Sequence, residues 1–175
     1  MTTSSQPALG AIRLAWWREA LERLDKSQVP PEPRLQAAAS ELLQRGVSGQ
    51  LLAGLEDGWA TLLDEAPDVE RVAQRGGRLF AIGATLLGAS DPLLDWAGRL
   101  YAIEIARRLR LAPVLEPRDE LDRLAGHRFP RRLRPMTAFA RLAARDVRQA
   151  PAIEPEATPG RAAALLSHRL FGTVA

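Results

Sequence analysis

Apolar side chains recur at three- and four-residue spacing along almost the whole chain, and no stretch keeps the alternation of a half-buried strand for long. That pattern confines the chain to the all-α class, in which each helix buries one stripe against its neighbours. Leu9, Ile12, Trp16, Ala20 and Leu24 share one face of a helix expected over residues 7–25, and the three prolines of Gln28-Val-Pro-Pro-Glu-Pro33 end it. A second helix is expected over 34–45, with Gly46 as a left-handed cap. Ser48 reads as the N-cap of a third, with Leu51, Leu52, Leu55, Trp59, Leu62 and Leu63 as its apolar face. Asp68 is expected to cap a longer helix over 69–87 that contains Gly76, Gly77 and Gly83. Each internal glycine costs a helix about 1 kcal/mol relative to alanine, so three of them point to close helix–helix approach. Ser90-Asp91-Pro92 signals the next start, with Pro92 at the first helical position and the helix running to about residue 111. A loop over 112–117, a short amphipathic piece over 118–124, a long helix over 135–149, a proline-rich linker over 150–159 and a last helix over 160–170 follow. The expected architecture is an antiparallel helical bundle, one domain over residues 1–175.

A chain of 175 residues is long enough to bury a self-sufficient core. It contains no cysteine, which excludes disulfides, thiolate metal sites and cysteine nucleophiles together. His127 and His168 are its two imidazoles, too few for a histidine-rich metal cage, and both are expected to be isolated structural residues. No apolar run approaches the ~18 residues that cross a bilayer. The opening Met-Thr-Thr-Ser-Ser-Gln-Pro has no basic or apolar region of a secretory signal, so a cytoplasmic location is expected.

Charge is unevenly spread. Residues 1–98 carry nine basic and thirteen acidic side chains, net −4, whereas residues 99–148 carry thirteen basic and six acidic, net +7. Of the 24 basic residues only Lys26 is a lysine. A GC-rich coding sequence accounts for arginine over lysine but not for the clustering, which points to an anionic partner or surface. The densest stretch, Arg128-Phe-Pro-Arg-Arg-Leu-Arg134, reads either as a phosphate or anionic-lipid contact or as a solvated loop that neutralises nearby acids. Its prolines make it a loop rather than a recognition helix, which argues against nucleic acid. Asp-x-x-x-Asp occurs at Asp64–Asp68 and Asp91–Asp95. Carboxylates so spaced on one helix can share a divalent metal, but Pro67 and Pro92 place these at helix breaks and starts, where capping is the expected role. The tryptophans Trp16, Trp17, Trp59 and Trp96 are expected in a helical core. No nucleophile elbow, phosphate-binding loop or dinucleotide fingerprint is present.

The stretch Ile12-Arg-Leu-Ala-Trp-Trp-Arg18, the proline stop at Val29-Pro-Pro-Glu-Pro33 and the helix over 35–43 resemble the squalene/phytoene synthase family. Gly54-Leu-Glu-Asp57, the run from Arg78 to Gly88 followed by Asp91-Pro92, and the run from Phe129 to Ala140 are similar to later helices of that family. The resemblance implies a shortened form of the isoprenoid synthase fold. It also implies a chemistry, the head-to-head joining of prenyl diphosphates with Mg²⁺ held between two aspartate-rich motifs. The first motif would lie upstream of residue 1. Opposite the second, the chain reads Gly98-Arg-Leu-Tyr-Ala-Ile-Glu-Ile-Ala-Arg-Arg-Leu109. Arg108 matches the motif's arginine, but Ala102, Ile105, Leu109 and Pro113 stand where the family has Gln, Asn and two Asp. Asp57 matches one family position and is the single weak candidate for a metal ligand.

Three functional expectations follow. The first is a non-catalytic family member, similar to assembly factors, that binds a protein partner or an isoprenoid-like lipid through Arg108, Arg128, Arg131, Arg132 and Arg134, without a cofactor, at the inner face of a membrane. The second is a prenyltransferase completed by another subunit and dependent on Mg²⁺. The third is a small helical nucleic-acid-binding or scaffold protein. Loss of the family's first helices would uncover an apolar face, so a dimer built on the tryptophan helix is also expected.

Overall fold

A computed structural model describes residues 7–111 and 117–175. The described residues form an all-α helical bundle: α1 (Pro7–Leu24), α2 (Pro33–Glu41), α3 (Gly49–Ala53), α4 (Asp57–Ala60), α5 (Val69–Leu87), α6 (Leu94–Arg108), α7 (Arg118–Leu124), α8 (Arg134–Arg148) and α9 (Pro159–Phe171). Extended pairing among them is confined to an isolated bridge between Arg128 and Thr173. Pro113 and all of the expected loop except Pro117 lie outside the described residues.

Local signals account for most helix ends. The Ser48 hydroxyl accepts from the Leu51 N–H, Asp68 from Glu70 and Arg71, and Thr158 from Arg161. Gly46, Gly88 and Gly172 take left-handed conformations at φ of 83°, 60° and 80° and close the preceding helices.

Two expected helices are corrected. The single helix after Ser48 is instead α3, α4 and a 3₁₀ turn at Thr61–Leu63. In an unbroken helix the Gly54 carbonyl would accept from residue 58; here Arg78 of α5 donates to it at 2.6 Å. The break lets Gly58 lie against the Arg71 carbonyl and the Arg75 side chain, where a Cβ would collide. The helix expected from Pro92 begins instead at Leu94, because Asp91 accepts from Leu93 N–H at 2.9 Å and holds residues 91–93 as a turn.

The bundle is organised on α5 and α6. Gly76 and Gly98 face each other so closely that a methyl on either would overlap the other's carbonyl oxygen, and Gly77 lies against Asp95 in the same way. This is the glycine seam that the sequence announces. Val72 clusters with Ala102 and Ala106, so α5 and α6 run antiparallel. α8 packs against α6, with its Met136 reaching Gly83 of α5 at one end and its Asp146 beside Arg108 of α6 at the other. The main core fills the space between them with Phe80, Leu94, Leu100, Leu124, Phe129, Leu133 and Val174.

The amino-terminal helices form a second, smaller cluster of Ala20, Leu24 and Leu35, with Trp17 and Leu21 packed on it. Asp25 fastens them to α3 by accepting from the Gly49 and Gln50 N–H groups at 2.6 and 2.9 Å. The apolar stripe of α1 is buried only in its second half: Ile12 is 67% exposed and Trp16 47%. Trp59 is exposed as well, so the expectation of four core tryptophans holds only in part, for the partly buried Trp17 and Trp96.

Candidate functional site

The arginines of 99–148 divide between the two ends of α6, α8 and α9. At the end where α6 and α8 finish and α9 begins, Arg107, Arg108, Arg145 and Arg161 are paired, while Arg110 and Arg148 stay exposed without an ion pair among the described residues. Asp146, 2% exposed, takes Arg108 at 3.0 Å on one oxygen and Arg161 on the other. Arg107 grips buried Glu104 through two bonds of 2.7 Å. Arg145 does the same to Glu154 at 2.7 and 3.1 Å, and with the Thr158 hydroxyl it holds that carboxyl down at about 2. Arg108 also donates to the Glu154 backbone carbonyl. Arg108 therefore fastens the 150–158 segment to the bundle.

The other end differs. Phe129 and Leu133 are buried and anchor the loop before α8, which leaves Arg128, Arg131 and Arg132 exposed around them. Arg134 is half-buried and committed: it donates to the carbonyls of Phe129, Arg169 and Leu170 at 3.1, 2.9 and 3.0 Å, a cation placed on the carboxyl end of α9. Arg132 touches the Gly88 carbonyl at 3.3 Å. Among the described residues no carboxylate lies within ion-pair distance of Arg128, Arg131, Arg132 or Arg169. The acids of the amino-terminal half pair with Arg18, Arg23, Arg71 and Arg99 instead. Beside these arginines α9 turns outward Leu166, Leu170 and Phe171, which are 59%, 61% and 56% exposed. A groove of about 830 Å³ between α8 and α9 is walled by Arg131, Ala138, Leu165, Arg169 and Leu170.

Neither histidine is isolated, which corrects the expectation. His127 Nε2 meets both oxygens of Asp91 at 2.9 Å and its ring stands edge-on to Phe129, tying the basic loop to the start of α6. His168 is buried; its Nδ1 donates to the Thr173 carbonyl at 2.8 Å, so Nε2 accepts from the Thr137 hydroxyl at 2.9 Å. Burial pushes its pKa below the ordinary imidazole value.

Asp57, at the start of α4, is held by Arg71 Nε and NH2 at 3.1 and 2.7 Å, and those hydrogen bonds lower its pKa. Among the described residues no three His, Asp or Glu side chains gather as metal ligands. Asp91 accepts backbone and histidine hydrogen bonds, and Asp68 caps α5, as their proline neighbours imply.

One feature escaped the sequence entirely. Arg75 of α5 is 8% exposed, and among the described residues nothing accepts a hydrogen bond from it. Its guanidinium lies 3.9 Å from the centre of the Trp59 ring, at the wall of a cleft of about 210 Å³ between α4, α5 and α6. In sequence it looks like any helix-surface arginine, and only the break after Gly54 brings Trp59 across it.

Comparison of the chain with protein-family models, with curated proteins and with solved structures finds no match in any of the three.

Proposed function

We propose that the chain is a non-catalytic, squalene/phytoene synthase-like binding protein that docks through its α8–α9 face on an anionic membrane surface, cytoplasmic side, and there holds a protein partner or an isoprenoid-like lipid. The observation that carries this reading is the coincidence of acid-free arginines with outward apolar side chains: Arg128, Arg131, Arg132 and Arg169 beside Leu166, Leu170 and Phe171. A helix that presents apolar groups flanked by cations lies in a lipid interface, its side chains buried among acyl chains and its charges at the headgroups. Each basic residue near an anionic surface contributes about 1 kcal/mol, roughly 4 kcal/mol for this set before screening. No described helix is long and apolar enough to cross a membrane, so attachment by this face would be peripheral.

Sedimentation with vesicles tests it. Phosphatidylglycerol-containing vesicles should pull down the protein at low salt and lose it at high salt, whereas phosphatidylcholine vesicles should not. Reversal of Arg128, Arg131, Arg132 and Arg169 to glutamate should abolish attachment. Equal sedimentation with both vesicles, or none with either, removes the reading, and a salt-dependent shift with nucleic acid instead would favour the third expectation.

Support for the absence of catalysis comes from Ala102, Ile105 and Leu109 in place of the family's amides and carboxylate, and from the engagement of Arg108 with Asp146. Without carboxylates to hold metal ions, a leaving diphosphate is not neutralised. No squalene or phytoene is expected from farnesyl or geranylgeranyl diphosphate with Mg²⁺. Product above that of a Leu109→Lys control would return the chain to the prenyltransferase reading. Self-association rests on a separate observation, the exposed Leu9, Ile12 and Trp16 of α1, and light scattering that gives a monomer at micromolar concentration would dismiss it.

A further inference from the structure

Six ionisable residues are more than nine-tenths buried among the described ones; the imidazole of His168 has both ring nitrogens hydrogen-bonded, and four of the other five have a partner of opposite charge. Glu104 has Arg107, Glu120 has Arg99 at 3.6 Å, and Asp146 and Arg161 have each other. Arg75 is the exception. A buried charge without a counter-ion costs several kcal/mol, and burial duly depresses its pKa below the ordinary guanidinium value. Stacking on Trp59 recovers only about 1–2 kcal/mol and engages the face of the guanidinium, not its edge. The in-plane N–H donors, which in Arg107 and Arg145 grip a carboxylate through two bonds, have no acceptor among the described residues in Arg75 and reach solvent at the cleft.

The surroundings specify what would fill them. The cleft is walled by Leu55, Leu62, Leu79, Ile105, Leu109 and Leu111, with Tyr101 and Trp59 as the aromatic members. Among the described residues that wall it, the ionisable groups are Arg75 and the Tyr101 phenol. Its ~210 Å³ is smaller than the 300–1,000 Å³ of drug-sized sites, which suits a single short chain rather than a bulky ring system. One desolvated guanidinium balances one negative charge, and its planar fork matches a carboxylate in two parallel bonds.

We infer that the α4–α5–α6 cleft is a binding site for a single-chain carboxylate amphiphile, the carboxylate paired edge-on with Arg75 and the chain lying among Leu55, Leu79 and Ile105. The site uses other elements than the α8–α9 face and stands or falls independently of membrane docking. Binding displaces cleft water and supplies the counter-ion that the described residues do not provide.

Calorimetric titration with decanoate tests the site in the intact protein, with decanol and acetate as chain-only and head-only probes. Decanoate should saturate one site below about 1 mM and raise the melting temperature, with decanol and acetate at least about tenfold weaker. Arg75→Met, which removes the unpaired charge and keeps the apolar stem, should melt at or above the native temperature and lose the decanoate response. Leu79→Trp, at a 42% exposed position on the cleft wall, should block the chain with Arg75 untouched. Equal affinity for decanol and decanoate, undiminished binding by either variant, or no saturation by decanoate overturns the inference.

Discussion

Both ends of the α6–α8–α9 bundle are crowded with arginine, yet at one end, the closed one, most of them are locked into ion pairs, and at the other, open end most face solvent. Where α6 and α8 finish, Glu104, Asp146 and Glu154 are interleaved with Arg107, Arg108, Arg145 and Arg161, and the acids are mostly or wholly buried. Where α8 starts and α9 finishes, Arg128, Arg131, Arg132 and Arg169 face solvent with no carboxylate of the described residues within ion-pair distance. The net +7 of residues 99–148 is therefore not one feature. Part of it is mortar that locks the 150–158 segment and α9 onto the bundle, and part is surface. An arginine that stabilises and an arginine that recruits differ only in what the fold places opposite them.

The largest expected break of this contrast is at Asp146. Asp146→Ala leaves Arg108 and Arg161 facing each other without their counter-charge, and removing one partner of a buried ion pair costs about 3–5 kcal/mol. The urea midpoint should fall accordingly; a loss no greater than that of a surface substitution would mean that the closed end is not structural. Next in size is the seam both ends share. Gly98→Ala pushes a methyl into the Gly76 carbonyl, and overpacking of this kind costs about 1–3 kcal/mol by the same measurement.

Acid should act first at His168, behind the open face, and only later at the closed end. Glu154 has its folded pKa held at about 2, below its unfolded value of 4.5, so its pairing stabilises fully above pH 4.5 and is lost as pH falls toward 2. His168 has a depressed pKa in the fold, so its contribution is complete above the ordinary value of 6.5 and fades as pH drops below it. Thermal melts from pH 7 downward should decline in two stages, and His168→Gln should remove the first. The smallest effect on stability is expected at the open end: Arg128→Ala, Arg131→Ala and Arg132→Ala should each stay within about 0.5 kcal/mol of the native midpoint. A larger loss at any of them would show that the open end also carries structural pairs.

The helix boundaries were legible because their causes are local. Ser48 and Asp68 reach N–H groups two or three residues away, and Gly46 adopts a backbone conformation that its missing Cβ allows. The glycines of α5 announced a close approach for the same reason, since a helix tolerates their cost only where another backbone must come near. The basic stretch at 128–134 was also visible as a candidate, although Arg134 turned inward to cap α9.

What the sequence determined by itself was therefore the class of fold, the caps and the places where charge accumulates, all readable over a few residues. Tertiary structure decided which charges meet. Arg108 finds Asp146 across 38 positions, Arg78 ends α3 from 24 positions away, and Arg75 finds no acid among the described residues. Such pairings depend on how helices cross, and a pattern of period 3.6 records which face of a helix is buried but not which side chain of another helix lies opposite it.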